Sequence, residues 1–290
     1  CKAGVIGSFP CLNAREGEGE PNMLEIWLNK INEELDKYNQ ENPDNPAAPY
    51  AVNHIVHKSN VRLQQDIDIC AKWKAPVWIT SLGARPEVNE VAHQANGIVL
   101  HDIINNFFAK KAIEKGADGL VAVAAGAGGH AGTLSPFALI QEIREWFDGP
   151  LLLSGSIANG GAVLAAQAMG ADLAYIGSAF IATNEANADQ RYKEMITESS
   201  ADDIVYTNLF TGVHGNYLKG SIEAQGLDPN NLEVSDSSKM NFSSGASKPK
   251  SWKEIWGSGQ GISAVKSILP ASDLVKRIND EYIKAKKELV

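Results

Sequence analysis

The chain has 290 residues, 44% of them hydrophobic and 21% charged, which is enough for one large barrel domain or two smaller domains. Its net charge of −9 argues against nucleic acid or an anionic membrane surface as the partner, although backbone amides can still hold a phosphate locally. Three cysteines, Cys1, Cys11 and Cys70, give neither a disulfide framework nor metal-ligand spacing, and no metal site is expected. No apolar run approaches a membrane span and the start, CKAGVIGSFP, does not read as a signal peptide, so a reducing cytoplasm is the expected location.

In chain order, Gly4–Phe9 reads as a strand, followed by a loop to Pro21 and a helix over Met23–Tyr38. The proline-rich loop NQENPDNPAAP leads into a strand at Tyr50–Val56, carrying Asn53 and His54, and a helix over Val61–Lys72. Then come a strand at Val77–Thr80, closed by SLGARP, a short helix at Glu87–Gln94, a strand at Ile98–His101 and a helix at Phe107–Lys115. Gly116 suits a helix C-cap, and Leu120–Ala125 is an apolar run of buried-strand length. Gly126, Gly128 and Gly129 next let the backbone approach something closely, and His130 follows them; the blander reading is a flexible turn with an incidental histidine. A helix over Pro136–Trp146, a strand at Pro150–Leu153 ending in SGSIANGG, a helix at Ala162–Met169 and a strand at Leu173–Ile176 ending in GSAF complete the pattern.

Seven strand–helix units at roughly twenty-residue spacing imply βαβ crossovers and a parallel sheet. A doubly wound open sheet fits that alternation, but a closed TIM (β/α)8 barrel fits better, because polar or glycine residues follow nearly every strand. The eighth strand is expected upstream of Cys1, and a seven-stranded irregular barrel is the alternative. Residues 1–184 are assigned to the barrel, 185–262 to a smaller, mainly helical cap, and 263–290 to a C-terminal helix packing back on the barrel. Within the cap, Ser235–Lys250 is the expected mobile segment and Trp252–Gly261 combines two tryptophans with three glycines.

In an eight-strand count the loops after the last two strands are Ser154-Gly155-Ser156 and Gly177-Ser178, the place where such barrels hold phosphate. His130 follows the strand before them and faces the same mouth, where a neutral imidazole suits proton removal. His54, His57 and His101 can also approach that mouth, although a structural or peripheral role is the preferred reading for each; His101 is nonetheless taken as a cofactor contact. No nucleophile elbow is present.

Together AGAGGHAG, SGSIANGG, GADLAYIGSAFIAT and the late GSGQG resemble the nitronate monooxygenase (2-nitropropane dioxygenase) family over nearly the whole chain. The resemblance implies an FMN-binding TIM barrel with a helical cap and no metal. It places the catalytic histidine on His130, the flavin phosphate at Ser154–Ser156 and Gly177–Ser178, an early-strand asparagine on Asn53, and the isoalloxazine along Gly128 and Gly129. This chain departs from the family where Gly155-Ser156 replaces Gly-Gly, Gly177-Ser178-Ala179-Phe180 replaces Gly-Thr-Arg-Phe, and Asp102 stands where some members place a lysine against the flavin. The family's first strand, with its methionine-glycine segment, has no counterpart here. The implied activity is oxidation of an alkyl nitronate or nitroalkane by FMN and dioxygen to a carbonyl compound and nitrite, in a cytoplasmic protein compatible with a homodimer. The alternatives are an NAD(P)H-dependent FMN reductase acting on a quinone or enoyl thioester, and a flavin-binding module without turnover.

Overall fold

The computed structural model describes residues 1–15, 22–235 and 254–289. Apart from Ser235, the polar segment Ser235–Lys250, and with it Trp252, lies outside the described residues. The chain divides into two compact units, Cys1–Ile103 with Phe107–Leu120, and Ile104–Asn106 with Val121–Val290.

The first unit alternates β1 (Gly7–Pro10), α1 (Met23–Glu41), β2 (Tyr50–Ile55), α2 (Leu63–Lys72), β3 (Val77–Ser81), α3 (Pro86–Gln94), β4 (Ile98–Ile103) and α4 (Asn106–Glu114), then enters β5 (Gly119–Val123). Strands β1 to β4 lie parallel in chain order, with Gly7 opposite Tyr50, Ala51 opposite Val77 and Val77 opposite Ile98. Helix α1 opens on the Asn22 side chain, which accepts from Glu25 N, and buries Leu24 and Leu28 one turn apart. Helix α2 starts at Leu63 rather than Val61, whose side chain is 77% exposed. The reason is local: Asn60 Oδ1 accepts from Arg62 N at 3.1 Å and Asn60 Nδ2 donates to Ile55 O at 2.8 Å, so residues 60–62 form an Asx turn that competes with the helix.

The second unit continues with β6 (Gly129–His130), α5 (Pro136–Arg144), β7 (Leu151–Ser154), α6 (Gly160–Ala168), β8 (Leu173–Tyr175), α7 (Ser178–Ile181), α8 (Gln190–Glu198), β9 (Ile204–Thr207), β10 (Gly215–Leu218), α9 (Lys219–Ala224) and α10 (Ala271–Leu289). Strands β5, β7 and β8 are neighbours, with Leu152 opposite Leu173. The β5 strand ends at Val123 because Ala125 N turns away to Leu134 O at 2.8 Å. Helix α8 begins at Gln190, not Glu185, where Asp189 Oδ1 accepts from Arg191 N at 2.8 Å. Strands β9 and β10, which follow α8, join β6 in an antiparallel sheet of order β6-β10-β9 that the sequence reading did not foresee. His130 is therefore a strand residue, opposite Gly215.

The last helix packs on α6 at Gly160, where a side-chain carbon would lie 2.0 Å from Tyr282 N and 2.2 Å from Ile278 O. Gly160 N donates to Glu281 Oε2 at 2.9 Å and Tyr282 Oη donates to Gln167 Oε1 at 2.6 Å. Behind it a buried cluster joins Ala158, Ala179, Ile196, Leu218, Ile262, Val265 and Leu274. Among the described residues no helix is long and apolar enough to cross a membrane.

Candidate active site

In the second unit three loops meet the 257–261 segment. The backbone at Gly126 (φ +82°), Gly129 (φ +68°) and Gly155 (φ +138°) is left-handed, and Ser156 adopts φ +56°. Gly126 O accepts from Ser156 N at 3.2 Å and from Gln260 N at 2.9 Å. A side-chain carbon at Gly128 would lie 2.7 Å from Gly259 N and 2.9 Å from Ser178 Oγ, and one at Gly259 would lie 2.6 Å from Gly126 O. So the close approach that the glycines permit is taken up by the chain itself, by Ser156 and Gln260 at Gly126 and by Gly259 and Ser178 at Gly128. Gly129 and Gly177 differ: a carbon added there meets nothing within 4 Å.

Around this interlock the polar groups are directed. Asn216, buried, donates Nδ2–H to Ala127 O at 2.6 Å, and its main-chain carbonyl accepts from Ser258 N at 3.1 Å. Ser178 Oγ accepts from Gly259 N at 2.8 Å and keeps its own proton to give. Ser156 and Gly177 are exposed, Ser154 is half-buried, and the amide of Ser156 is committed to Gly126. Ser258 Oγ is buried with no hydrogen-bond partner among the described residues.

His130 is half-buried on β6, with Nε2 3.1 Å from Thr211 Oγ1. Thr211 donates its one proton to Val213 O at 2.8 Å, so His130 Nε2–H is the donor of that pair and Nδ1 carries the lone pair. Burial pushes the imidazole below its usual value of 6.5, which keeps it neutral near neutral pH.

In the first unit the parallel register sorts the polar strand residues onto two faces. Asn53, Ser81 and Asp102 share one: Asn53 Nδ2 donates to Ser81 Oγ at 2.8 Å, and Ser81 Oγ donates to Asp102 Oδ2 at 2.5 Å. Asp102 Oδ1 is buried with no hydrogen-bond partner among the described residues, and burial raises this carboxyl to about 6 against the lowering bond from Ser81. Ser81 and Asp102 were not foreseen as partners of Asn53; the polar residue closing each strand was the available signal. His101 lies on the opposite face, buried, with Nδ1 2.5 Å from Thr80 Oγ1, and burial followed by the Lys115 charge lowers it to about 4. That face also carries His54 stacked on Trp78 (centroids 4.8 Å apart), so His101 and Asn53 do not act on one surface. His57 instead holds Ser59 in the turn after β2 through Nδ1, 2.8 Å from Ser59 Oγ.

The nitronate monooxygenase family model matches residues 15–281. The chain belongs to that family. Nitronate monooxygenases are oxidoreductases that work with a flavin. The chain is 28% identical over 190 residues to a nitronate monooxygenase of Paraburkholderia phytofirmans, covering 60% of this chain and 51% of that protein. It is 23% identical over 244 residues to a probable nitronate monooxygenase of Staphylococcus haemolyticus, covering 77% of this chain and 66% of that protein. It thus spans between about half and two thirds of these relatives' length. A solved nitroalkane oxidase from Streptomyces ansochromogenes superposes with a TM-score of 0.75 at 20% identity, covering 100% of this chain and 92% of that one. FabK from Thermotoga maritima superposes with a TM-score of 0.68 at 21% identity, covering 89% and 83%. These likenesses show the fold class of this nitronate monooxygenase family member, an α/β fold of the TIM-barrel type.

Proposed function

We propose that the protein binds FMN and uses dioxygen to oxidise alkyl nitronates, or the nitroalkanes from which they form, to a carbonyl compound and nitrite. The observation that carries this reading is His130, a neutral imidazole fixed through Nε2 by Thr211 beside a glycine loop of the family pattern. The residues fit a flavin phosphate. Gly177 leaves open space, Ser178 retains a hydroxyl proton, Ser156 is exposed, and Ser258 offers a buried hydroxyl that nothing among the described residues satisfies. Within the second unit Ser154, Gly155, Ser156, Gly177 and Ser178 would hold that phosphate, with Gly129 as a further cofactor contact. Once bound, the flavin supplies the electron transfer between substrate and dioxygen.

His130 then acts on the proton. Its Nδ1 lone pair can accept the acidic hydrogen from the carbon next to a nitro group, and the resulting imidazolium stays held by Thr211 through Nε2–H. A substrate that arrives as the nitronate has already lost that proton, so the Nδ1 lone pair is not called upon. His101 takes no part in this reading, because its buried bond to Thr80 gives it a structural role.

The test is anaerobic mixing of full-length, FMN-loaded protein with a nitronate in one sample and NADH or NADPH in another. Bleaching of the flavin by the nitronate alone is the expected result. Bleaching by the nucleotide alone would overturn the reading in favour of a reductase.

A further inference from the structure

The first unit contains a second cluster of chemistry-bearing side chains, on the α2-packed face of the sheet. Cys11 sits on the turn directly after β1, His54 in β2 and Cys70 in the last turn of α2. Their ligand atoms all lie within 4.8 Å of one another, and Cys11 Sγ is 3.3 Å from His54 Nδ1. All three residues are fully buried, at 1%, 1% and 0% exposure. We propose that Cys11, His54 and Cys70 form a zinc site.

Cys11 Sγ lies 3.3 Å from His54 Nδ1 and 3.9 Å from Nε2, so a turn of the ring would bring a lone pair onto an ion shared with the two sulfurs. Zinc bound at about 2.3 Å to sulfur and about 2.0 Å to nitrogen holds tetrahedral donors about 3.5 to 3.8 Å apart. Two sulfurs and one imidazole select a thiophilic cation and disfavour magnesium or calcium, which require oxygen. Charge selects further: two thiolates, a neutral imidazole and Zn²⁺ sum to zero, which suits a buried site, whereas Cu⁺ would leave a buried negative charge. A three-ligand zinc completes its shell with a water.

The surroundings hold the donors in place. The His54 ring stacks on Trp78 with planes 17° apart. Asp66 lies one turn before Cys70 on α2, is 1% exposed, and accepts from Arg62 Nη2 at 2.9 Å. Arg62 Nη1 donates to Ala14 O at 2.9 Å, just beyond the turn that carries Cys11. The Arg62–Asp66 pair thus joins the helix bearing one cysteine to the loop bearing the other, the supporting shell a metal site needs. Loading is a substitution: two thiol protons leave and Zn²⁺ enters, with no change of oxidation state.

The test uses the full-length protein, purified without chelators or metal-affinity resin. Elemental analysis is expected to give one zinc per chain, and X-ray absorption at the zinc edge two sulfurs at about 2.3 Å and one nitrogen. These readouts need no variant. Cobalt exchanged into the site should show thiolate-to-cobalt absorption that falls by roughly half in Cys11→Ser or Cys70→Ser. Absence of zinc together with failure to take up cobalt would overturn the proposal. So would a metal shell without sulfur, binding of Cu⁺ alone, or an intact mass two hydrogens low from a Cys11–Cys70 disulfide.

Discussion

Asp102 and His101 are neighbours in β4 whose environments work against each other as pH changes. Asp102 is raised from 3.8 to about 6 by burial, so between those values the native state holds a proton that the unfolded chain has lost. At about 1.36 kcal/mol per pH unit, that gap adds up to about 3 kcal/mol of stability on acidification from pH 7 to 4. His101 is lowered from 6.5 to about 4 by burial, so over that window the unfolded chain takes up a proton that the native state refuses. Its contribution is a loss of similar size, about 3 kcal/mol, on the same acidification. The two nearly cancel in the wild type. Asp102→Asn removes only the first, and the variant should lose about 2 kcal/mol more than wild type between pH 7 and pH 4.5. Urea unfolding of both proteins in the same flavin-loading state, at half-unit pH steps, reads this as a difference in midpoint times slope. Parallel stability profiles would refute both the burial of the carboxyl and the cancellation.

His130→Asn should retain flavin but lose about 10²–10⁴-fold in turnover of neutral nitroalkanes, with a smaller loss on preformed nitronates; equal losses would remove the proton-transfer role. Because burial lowers His130, the nitroalkane rate should hold constant from pH 8 to below 6.5 and then fall as the ring protonates, which a kcat/KM profile checks. Thr211→Val takes away the acceptor for Nε2–H and should lower kcat while leaving the flavin stoichiometry intact, a split visible in steady-state kinetics beside the flavin absorbance. Gly160→Ala should destabilise by about 1–3 kcal/mol or more, because the added methyl meets backbone of α10 and not a flexible side chain; an unchanged thermal midpoint would contradict that packing.

The alternation of strands and helices was legible because each short apolar run ends in glycine or a polar residue and each helix carries one apolar stripe. The family assignment rested on the glycine loops, whose unusual backbone leaves a mark in residue type. Orientation within a strand was harder to read. Strands such as YAVNHI and VWITS are buried nearly throughout, so they lack the alternation that reveals a face, and placing His101 against Thr80 while Asn53 meets Ser81 depends on register between strands. The partners of Gly126 and Gly128 include residues 259 and 260, and the cysteine pair is brought together by a strand end and a helix. Contacts of that range have no local signature. The sheet containing His130 was missed because a two-residue strand is shorter than any periodicity.

The docking of the last helix on α6 also orders events in time. Gly160 finds its partner Glu281 only after a further 121 residues have been made. At about 5–20 residues per second that is a wait of roughly 6–24 s, during which the face of α6 around Gly160 has nothing of its own chain to bind. The second unit can therefore complete its packing only as synthesis passes α10.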